Sequence, residues 1–426
     1  MSWVDYEHDM QRCTRCSYCK YIPWRYIKDF NFIEGCPSAA RYHWHAFAAG
    51  GRFNMGYSLL REKIKIDETF LDVLYKCNMD GSCDISCKVN QDIEPLQIMQ
   101  ELRIKCVEEG QLVPAHMLVI EELQKQDNMM MASRADRGQW ADGLDVKDLS
   151  RDRAEVLFHA GCRYSFDRDL WPVARAGLSI LLKAGADVGI MGAEESCCAG
   201  RAYELGYAGE LIKYCEHQND LWRNTGIKTV VTPCADCYAA FSVLYDKIGR
   251  KPTVEVLHIT QYLEKLLREG KLEMKNSLPM KATYHDPCHL GRLGEPWIHW
   301  NGKEYKPKSM PLVLHDPPKR FRRGTFGIYD PPRNVLKSIP GLDLVEMYRI
   351  REYGWCCGAG GGVIDAHPDF AKWTGAERLR EARAVGAEAI VSSCPWCKRV
   401  FLDSAGEAGI QIEILDIVEL IEMSVS

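Results

Sequence analysis

Nineteen cysteines stand in this chain, and their spacing restricts what it can fold into more than any other feature. Seventeen of them fall into four groups. The first is Cys13, Cys16, Cys19 and Cys36, and the second is Cys77, Cys83 and Cys87. The third is Cys162, Cys197, Cys198, Cys234 and Cys237; the fourth is Cys288, Cys356, Cys357, Cys394 and Cys397. Disulfide frameworks belong to short secreted domains. This chain has 426 residues, an odd number of cysteines, and a polar start from Met1 to Arg12 without an apolar signal core. Clustered cysteines in such a chain are metal ligands or redox groups. No run reaches the ~18 apolar residues of a membrane span. The net charge of −5 gives no general case for nucleic acid, nor for an acidic membrane surface, as a partner, and no nucleic acid is expected. A cytoplasmic protein with no membrane span of its own is expected.

Around the cysteines the texture changes once. Residues 1–125 read as helices and loops, with apolar residues at helical spacing over Leu59–Tyr75, Pro95–Glu109 and Pro114–Gln126. Residues 126–153 are polar, carry Met129–Met131, and read as a linker. Beyond them β-rich runs (Val156–Ala160, Ala186–Met191, Thr229–Thr232, Thr283–His285, Asp343–Met347, Ala389–Ser392) alternate with helical stretches such as Pro172–Ala184 and Trp373–Val385. That alternation predicts parallel sheets with crossover helices, and ligands at the carboxyl ends of the strands, where the cysteines fall. An internal repeat divides this region: Val230-Val-Thr-Pro-Cys-Ala-Asp-Cys237 matches Ile390-Val-Ser-Ser-Cys-Pro-Trp-Cys397, each followed four residues on by phenylalanine. The expected fold class is therefore α+β multidomain. A mainly α-helical ferredoxin-like domain (1–125) precedes two similar α/β cysteine-rich domains, 154–280 and 281–426.

Cys13, Cys16 and Cys19 follow C-x2-C-x2-C, with Cys36-Pro37 seventeen residues on. The second group repeats the frame as Cys77, Asp80, Cys83, Cys87, with aspartate in the second position. Bacterial two-cluster ferredoxins take the fourth ligand of each cluster from the other group. On that pattern Cys13, Cys16, Cys19 and Cys87 hold one cubane-type 4Fe–4S cluster, while Cys36, Cys77 and Cys83 hold a second. Asp80 is either a weak fourth ligand or a loop carboxylate facing solvent beside a 3Fe–4S cluster. Zinc ribbons present two separated C-x2-C pairs instead of a triplet and a lone Cys-Pro. Each later group reads C, then an adjacent pair before glycine, then C-x2-C. Five thiolates exceed the four of a cubane or closed zinc site, so these sites hold an unusual cluster or leave one cysteine free.

The doubled pattern, with Tyr284-His-Asp-Pro-Cys-His-Leu-Gly291, Tyr329-Asp-Pro-Pro-Arg333 and Trp355-Cys-Cys-Gly-Ala-Gly-Gly-Gly362, resembles the catalytic subunit of heterodisulfide reductase. Joined to the ferredoxin module, it is similar to the fused D-type polypeptide of that enzyme over nearly the whole chain. The resemblance implies up to two noncubane 4Fe–4S clusters, one on each five-cysteine group, and other redox subunits as partners. It extends to iron–sulfur subunits of glycolate or lactate oxidases, and to the heterodisulfide-reductase-like subunit of tungsten-containing, electron-bifurcating benzoyl-CoA reductase complexes. Two functions follow: a relay inside a larger complex, or a catalytic disulfide reductase. No G-x-G-x-x-G fingerprint follows a strand, so electrons are expected to come from a flavin-containing partner or pass to a substrate-reducing one. With Asp80 and a long insertion, this favours the relay, of the benzoyl-CoA type.

The insertion is the largest departure. Between the first cysteine and the adjacent pair lie 34 residues in the first half and 67 in the second, the excess falling near 293–326. It carries Trp297, Trp300, Tyr305 and the basic residues Lys303, Lys306, Lys308, Lys319, Arg320, Arg322 and Arg323. Such a loop docks a partner, covers a thioester or nucleotide, or is simply solvated surface. His159, His285 and His289 flank the strand-end cysteines as candidate sulfur or proton partners, or as structural histidines. Cys106 and Cys215 are expected as buried free thiols, and Gly358–Gly362 as cluster packing.

Overall fold

The computed structural model describes residues 3–90, 93–305 and 313–425. Up to Gln126 the chain is helical: Pro37–Tyr42, Ala49–Leu60, Glu68–Tyr75, Ser82–Asn90, Pro95–Glu108 and Pro114–Gln126 are joined by short 3-10 turns. The stretch Leu59–Tyr75, read as one helix, is broken. Glu62 takes φ of 55°, and Asp67 starts a fresh helix by accepting from the Phe70 backbone N–H at 2.8 Å. An aspartate N-cap satisfies an otherwise orphaned donor, so the polar run between the apolar positions ends one helix and begins another.

Two parallel sheets follow. The first contains β1 (Lys147–Asp148), β2 (Val156–Phe158), β3 (Val188–Ile190), β4 (Thr229–Thr232) and β5 (Glu255–His258) in the order β1-β3-β2-β4-β5. The second contains β6 (Met280–Tyr284), β9 (Leu342–Val345), β10 (Ala389–Ser392) and β11 (Glu413–Asp416) in the order β11-β10-β6-β9. Between β6 and β9 the insertion forms an antiparallel pair, β7 (Lys303–Tyr305) and β8 (Leu314–Asp316). Remove β1, match β2–β5 to β6, β9, β10 and β11, and the two strand orders are the same. The sequence repeat is thus a repeat of topology. β2 and β10 are buried along their whole length, as expected of strands covered on both faces.

The halves meet reciprocally. The helix after β11, Ile417–Val425, packs on the first crossover helix of the other half, Trp171–Lys183; the helix after β5, Ile259–Arg268, packs on Asp330–Lys337. Ile259, Leu263 and Leu266 share one apolar core with Ile417, Leu420 and Ile421. Each such side chain contributes about 1.5–3 kcal/mol on burial. His258 bonds the Ser393 carbonyl at 3.1 Å, and the Tyr164 hydroxyl donates to Asp416 at 2.8 Å across the same seam.

Residues 126–153, expected as a linker, are built into the first α/β unit. β1 pairs in parallel with β3, and the buried Trp140 ring lies 5.7 Å from Phe158. A two-residue strand offers no periodicity to read, so the polar composition around it dominated the expectation. The insertion also packs back on its own chain. Trp297 lies between Lys247 and Arg322, and Lys88 donates to the Arg322 carbonyl at 2.7 Å. Lys303, Arg320 and Arg323 are exposed; Lys306 and Lys308 lie outside the described residues.

One arginine ties the helical unit to both α/β halves. Arg103 is fully buried and donates to the carbonyls of Leu74 (3.2 Å), Cys77 (2.9 Å), Glu204 (2.9 Å) and Gly361 (2.9 Å), with its guanidinium over Tyr75. Arg103→Leu would leave these acceptors buried and unpaired. It is expected to cost more than about 3 kcal/mol. A chemical denaturation midpoint equal to that of the native chain would contradict the bridging role.

Candidate functional site

In the helical unit, Cys13, Cys16, Cys19 and Cys87 line one cavity, closed by Phe53 and Ile93. Cys16 is exposed and the other three are half-buried, so this donor set sits at the surface. Cys87 lies one turn after Cys83 on helix Ser82–Asn90, a rise of about 6 Å. Cys83 belongs to a second, buried set with Cys36 and Cys77, whose thiols act electrostatically on one another. Cys36 is the N-cap of helix Pro37–Tyr42, and Pro37 at the first helical position fixes the direction in which the chain leaves it. Burial pushes the Cys36 thiol up to about 12 and Cys83 far above its ordinary value. Thiolates there need a cationic core, which an iron–sulfur cluster provides. Asp80 does not face solvent: it is buried and ion-paired with Arg292.

The ten later cysteines gather at the carboxyl ends of equivalent strands. Cys162 and Cys288 follow β2 and β6, the adjacent pairs follow β3 and β9, and the C-x2-C segments follow β4 and β10. All ten are buried. In each pair two neighbouring thiols stabilise the thiolate of the second cysteine. Cys197 and Cys237 draw Cys198 down to about 5, and Cys356 and Cys397 draw Cys357 down to about 6. The sets adjoin: Cys234 and Cys394, the equivalent residues of the two halves, act electrostatically on each other, and the Cys394 sulfur lies 4.0 Å from Asp236 of the first half. Gly161, at φ of 77°, is required by this packing, since a Cβ there would lie 2.8 Å from the Cys237 sulfur.

The three histidines separate into two kinds. His159 and His285 occupy equivalent places and meet the repeat phenylalanines edge-on, His159 with Phe241 and His285 with Phe401, both at 4.9 Å. The phenylalanine four residues after each C-x2-C thus holds a ring beside its cysteines. Nε2 of both histidines is buried without a partner. The His285 ring nitrogen lies within 4.8 Å of the Cys357 and Cys397 sulfurs. Orphaned donors beside clustered thiols fit a cluster whose sulfides accept hydrogen bonds. His289 is different: Nε2 lies 2.5 Å from Glu204, and Nδ1 lies 3.2 Å from Asp236 and 3.4 Å from the Cys288 sulfur. Burial alone would lower its pKa, but the Asp236 and Glu204 carboxylates outweigh it and raise it well above the ordinary value.

Several residues at these sites were not expected from the sequence. Arg137, from the supposed linker, donates to the Cys162 sulfur at 3.5 Å and pairs with buried Glu195 at 3.1 Å. Arg201 pairs with Asp236 at 3.5 Å and stacks on Trp396 at 3.9 Å. Asp236 and Trp396 lie inside the C-x2-C segments and were discoverable there, whereas nothing in the sequence distinguishes Arg137. The glycine run lies against the helical unit. Cβ atoms at Gly360 and Gly361 would lie 2.4 and 2.3 Å from the Asn78 and Cys77 carbonyls. Asn78 Nδ2 donates to the Gly358 carbonyl at 2.8 Å. Cys106 and Cys215 are buried outside every group. Gly161→Ala is expected to remove the metal complement of the first five-cysteine set, about four irons per chain by metal analysis. Unchanged iron content would show that the close approach to Cys237 is not required.

The CCG "Cysteine-rich domain" family model matches residues 156–242 and 312–401, one stretch in each α/β half. The D-type polypeptide of the dihydromethanophenazine:CoB–CoM heterodisulfide reductase of Methanosarcina barkeri is 30% identical over 362 residues, covering 83% of this chain and 78% of the relative. Its Methanosarcina mazei counterpart is 28% identical and covers 97% of this chain and 93% of the relative. The EtfAB:quinone oxidoreductase of Syntrophomonas wolfei is 28% identical over 85% of this chain and 48% of its own length. No helix among the described residues is long and apolar enough to cross a membrane. With two CCG domains in the same strand order, and a cysteine-bearing helical unit before them, the chain belongs to the D-type heterodisulfide reductase family of iron–sulfur redox proteins.

Proposed function

We propose that this chain is the electron-transfer subunit of a larger cytoplasmic redox complex. Two clusters would sit in the helical unit, on Cys13, Cys16, Cys19 and Cys87 and on Cys36, Cys77 and Cys83. A noncubane 4Fe–4S cluster would sit on each five-cysteine group. The observation that carries the reading is the contiguity of the four sets. Cys87 and Cys83 share one helical turn, the Cys77 carbonyl abuts Gly361, and the Cys394 thiol meets Cys234. When bound, such clusters supply one-electron storage and exchange.

The residues around them have defined tasks. Exposed Cys16 puts one end of the line where a partner can approach. Phe241, Phe401 and Trp355 are buried and would exclude water from the other sets, and Nε2 of His159 and His285 would donate to sulfide. The absence of a dinucleotide fingerprint supports a flavin-containing electron donor, and the family resemblance supports a substrate-reducing partner, in an electron-bifurcating complex of the benzoyl-CoA reductase type. The iron–sulfur subunit of a glycolate or lactate oxidase would be the same relay with another partner.

One observation favours a second reading, catalytic cleavage of a disulfide by this chain. His289, held protonated between Asp236 and Glu204, is 3.4 Å from the Cys288 sulfur, where a leaving thiolate would need a proton. The two readings separate in one assay. The chain purified alone without oxygen is expected not to reduce a mixed thiol disulfide with an artificial donor, and to turn over only with its co-purifying partners. Cleavage by the isolated chain would sink the relay. Metal and sulfide analysis is expected to give about fifteen or sixteen irons per chain, whereas about four would overturn the four-site model.

A further inference from the structure

The aspartate in the second cysteine frame has both carboxylate oxygens engaged by protein donors. Asp80 Oδ2 accepts from Arg292 Nη2 at 2.7 Å, and Oδ1 accepts from the backbone N–H and hydroxyl of Ser82, both at 3.2 Å. Arg292 Nε also bonds the Asp80 carbonyl. Both partners are buried, Asp80 at 6% and Arg292 at 5% exposure. The other face of the guanidinium is occupied too: Nη1 donates to the Glu352 and Gly354 carbonyls at 3.1 and 2.6 Å. Arg292 comes four residues after Cys288, and Gly354 two before Cys356. Its side chain therefore joins the Asp80 loop to both arms of the second five-cysteine set.

Turning Asp80 toward iron would break a buried ion pair and leave the guanidinium facing carbonyls alone. That cost is large because neither charge can be rehydrated. A carboxylate is, besides, the poorer ligand for iron in a sulfide setting.

We propose that Asp80 is the fixed counter-ion of Arg292 and not an iron ligand, so that Cys36, Cys77 and Cys83 form a three-thiolate site that keeps a 3Fe–4S cluster. This rests on the reading that the chain carries iron–sulfur clusters, and it adds that the site has no protein ligand for a fourth iron. The pair then belongs to the contact between this site and the second five-cysteine set.

The test is low-temperature EPR, with Mössbauer spectroscopy, on the full chain prepared without oxygen. After a mild oxidant, the near-isotropic signal of an oxidised three-iron cluster is expected in proportion to the chain. It should survive incubation of the reduced protein with ferrous iron. Asp80→Asn should keep the signal, Asp80→Cys should abolish it by admitting a fourth iron, and Arg292→Met should let ferrous iron convert the cluster by freeing the carboxylate. A native protein that has four irons here and loses one in Asp80→Asn would overturn the proposal. So would conversion of the native cluster by ferrous iron alone. The native-protein measurements decide the matter if a variant fails to fold. Absence of iron and sulfide from the whole chain would instead overturn the iron–sulfur reading.

Discussion

A buried guanidinium that has only backbone carbonyls for hydrogen-bond partners holds this molecule in register. Arg103 reaches the carbonyls of Leu74 and Cys77 in the helical unit, Glu204 in the first half and Gly361 in the second. Hydrogen bonds to a charged donor are stronger than neutral ones, and the buried charge has nowhere else to find partners. Each unit is thus fixed at a cysteine or next to a group that serves one. Cys77 is a thiol of the helical unit, Glu204 holds His289, and Gly361 closes the run after Cys356–Cys357. The contact positions the cysteine sets relative to one another as well as stabilising the fold.

The two α/β halves repeat one plan but surround their cysteines with different charges. Both place a histidine three residues before the first cysteine, against a phenylalanine from the helix after C-x2-C. At the first set, Arg137 and Glu195 lie beside Cys162 and His159. At the second, His289 sits next to Cys288 between Glu204 and Asp236, both supplied by the other half. A cation against sulfur favours thiolate at either set, but at the first it is the Arg137 guanidinium and at the second the His289 imidazole, whose pKa the two carboxylates raise. The pseudo-symmetry is broken at the charged groups beside the first cysteine of each set.

Much of this was legible in the sequence, for a physical reason. Close cysteine spacing stands out by itself, so Cys13, Cys16 and Cys19 or the two C-x2-C segments are recognisable without coordinates. Strand runs such as Thr229–Thr232 and Ala389–Ser392 were readable because burial leaves their central positions apolar and β-branched, Val230–Val231 and Ile390–Val391. What was not legible are contacts made through the backbone. Arg103 bonds the Gly361 carbonyl across 258 residues, and Arg292 bonds the Asp80 carbonyl across 212. A carbonyl carries no residue identity, so no motif announces an arginine that binds one. β5 and β11 were missed for another reason: their outer positions are exposed, and Glu255 and Glu413 interrupt the apolar pattern. The segment with Arg137 read as a linker because its contribution to the sheet is only two residues long.

Cys77–Asp80 meets the Cys356–Gly361 segment in a buried contact that would couple the helical unit to the α/β halves. The most direct measurement is the spin–spin interaction between these two sites, by power saturation and pulsed EPR of the partially reduced chain. The signal from the Cys36, Cys77 and Cys83 site is expected to be broadened and to relax faster when the second five-cysteine site is paramagnetic. Replacing Cys356 and Cys357 by serine should remove the effect. Spectra that are a simple sum of independent signals in the native chain would contradict it.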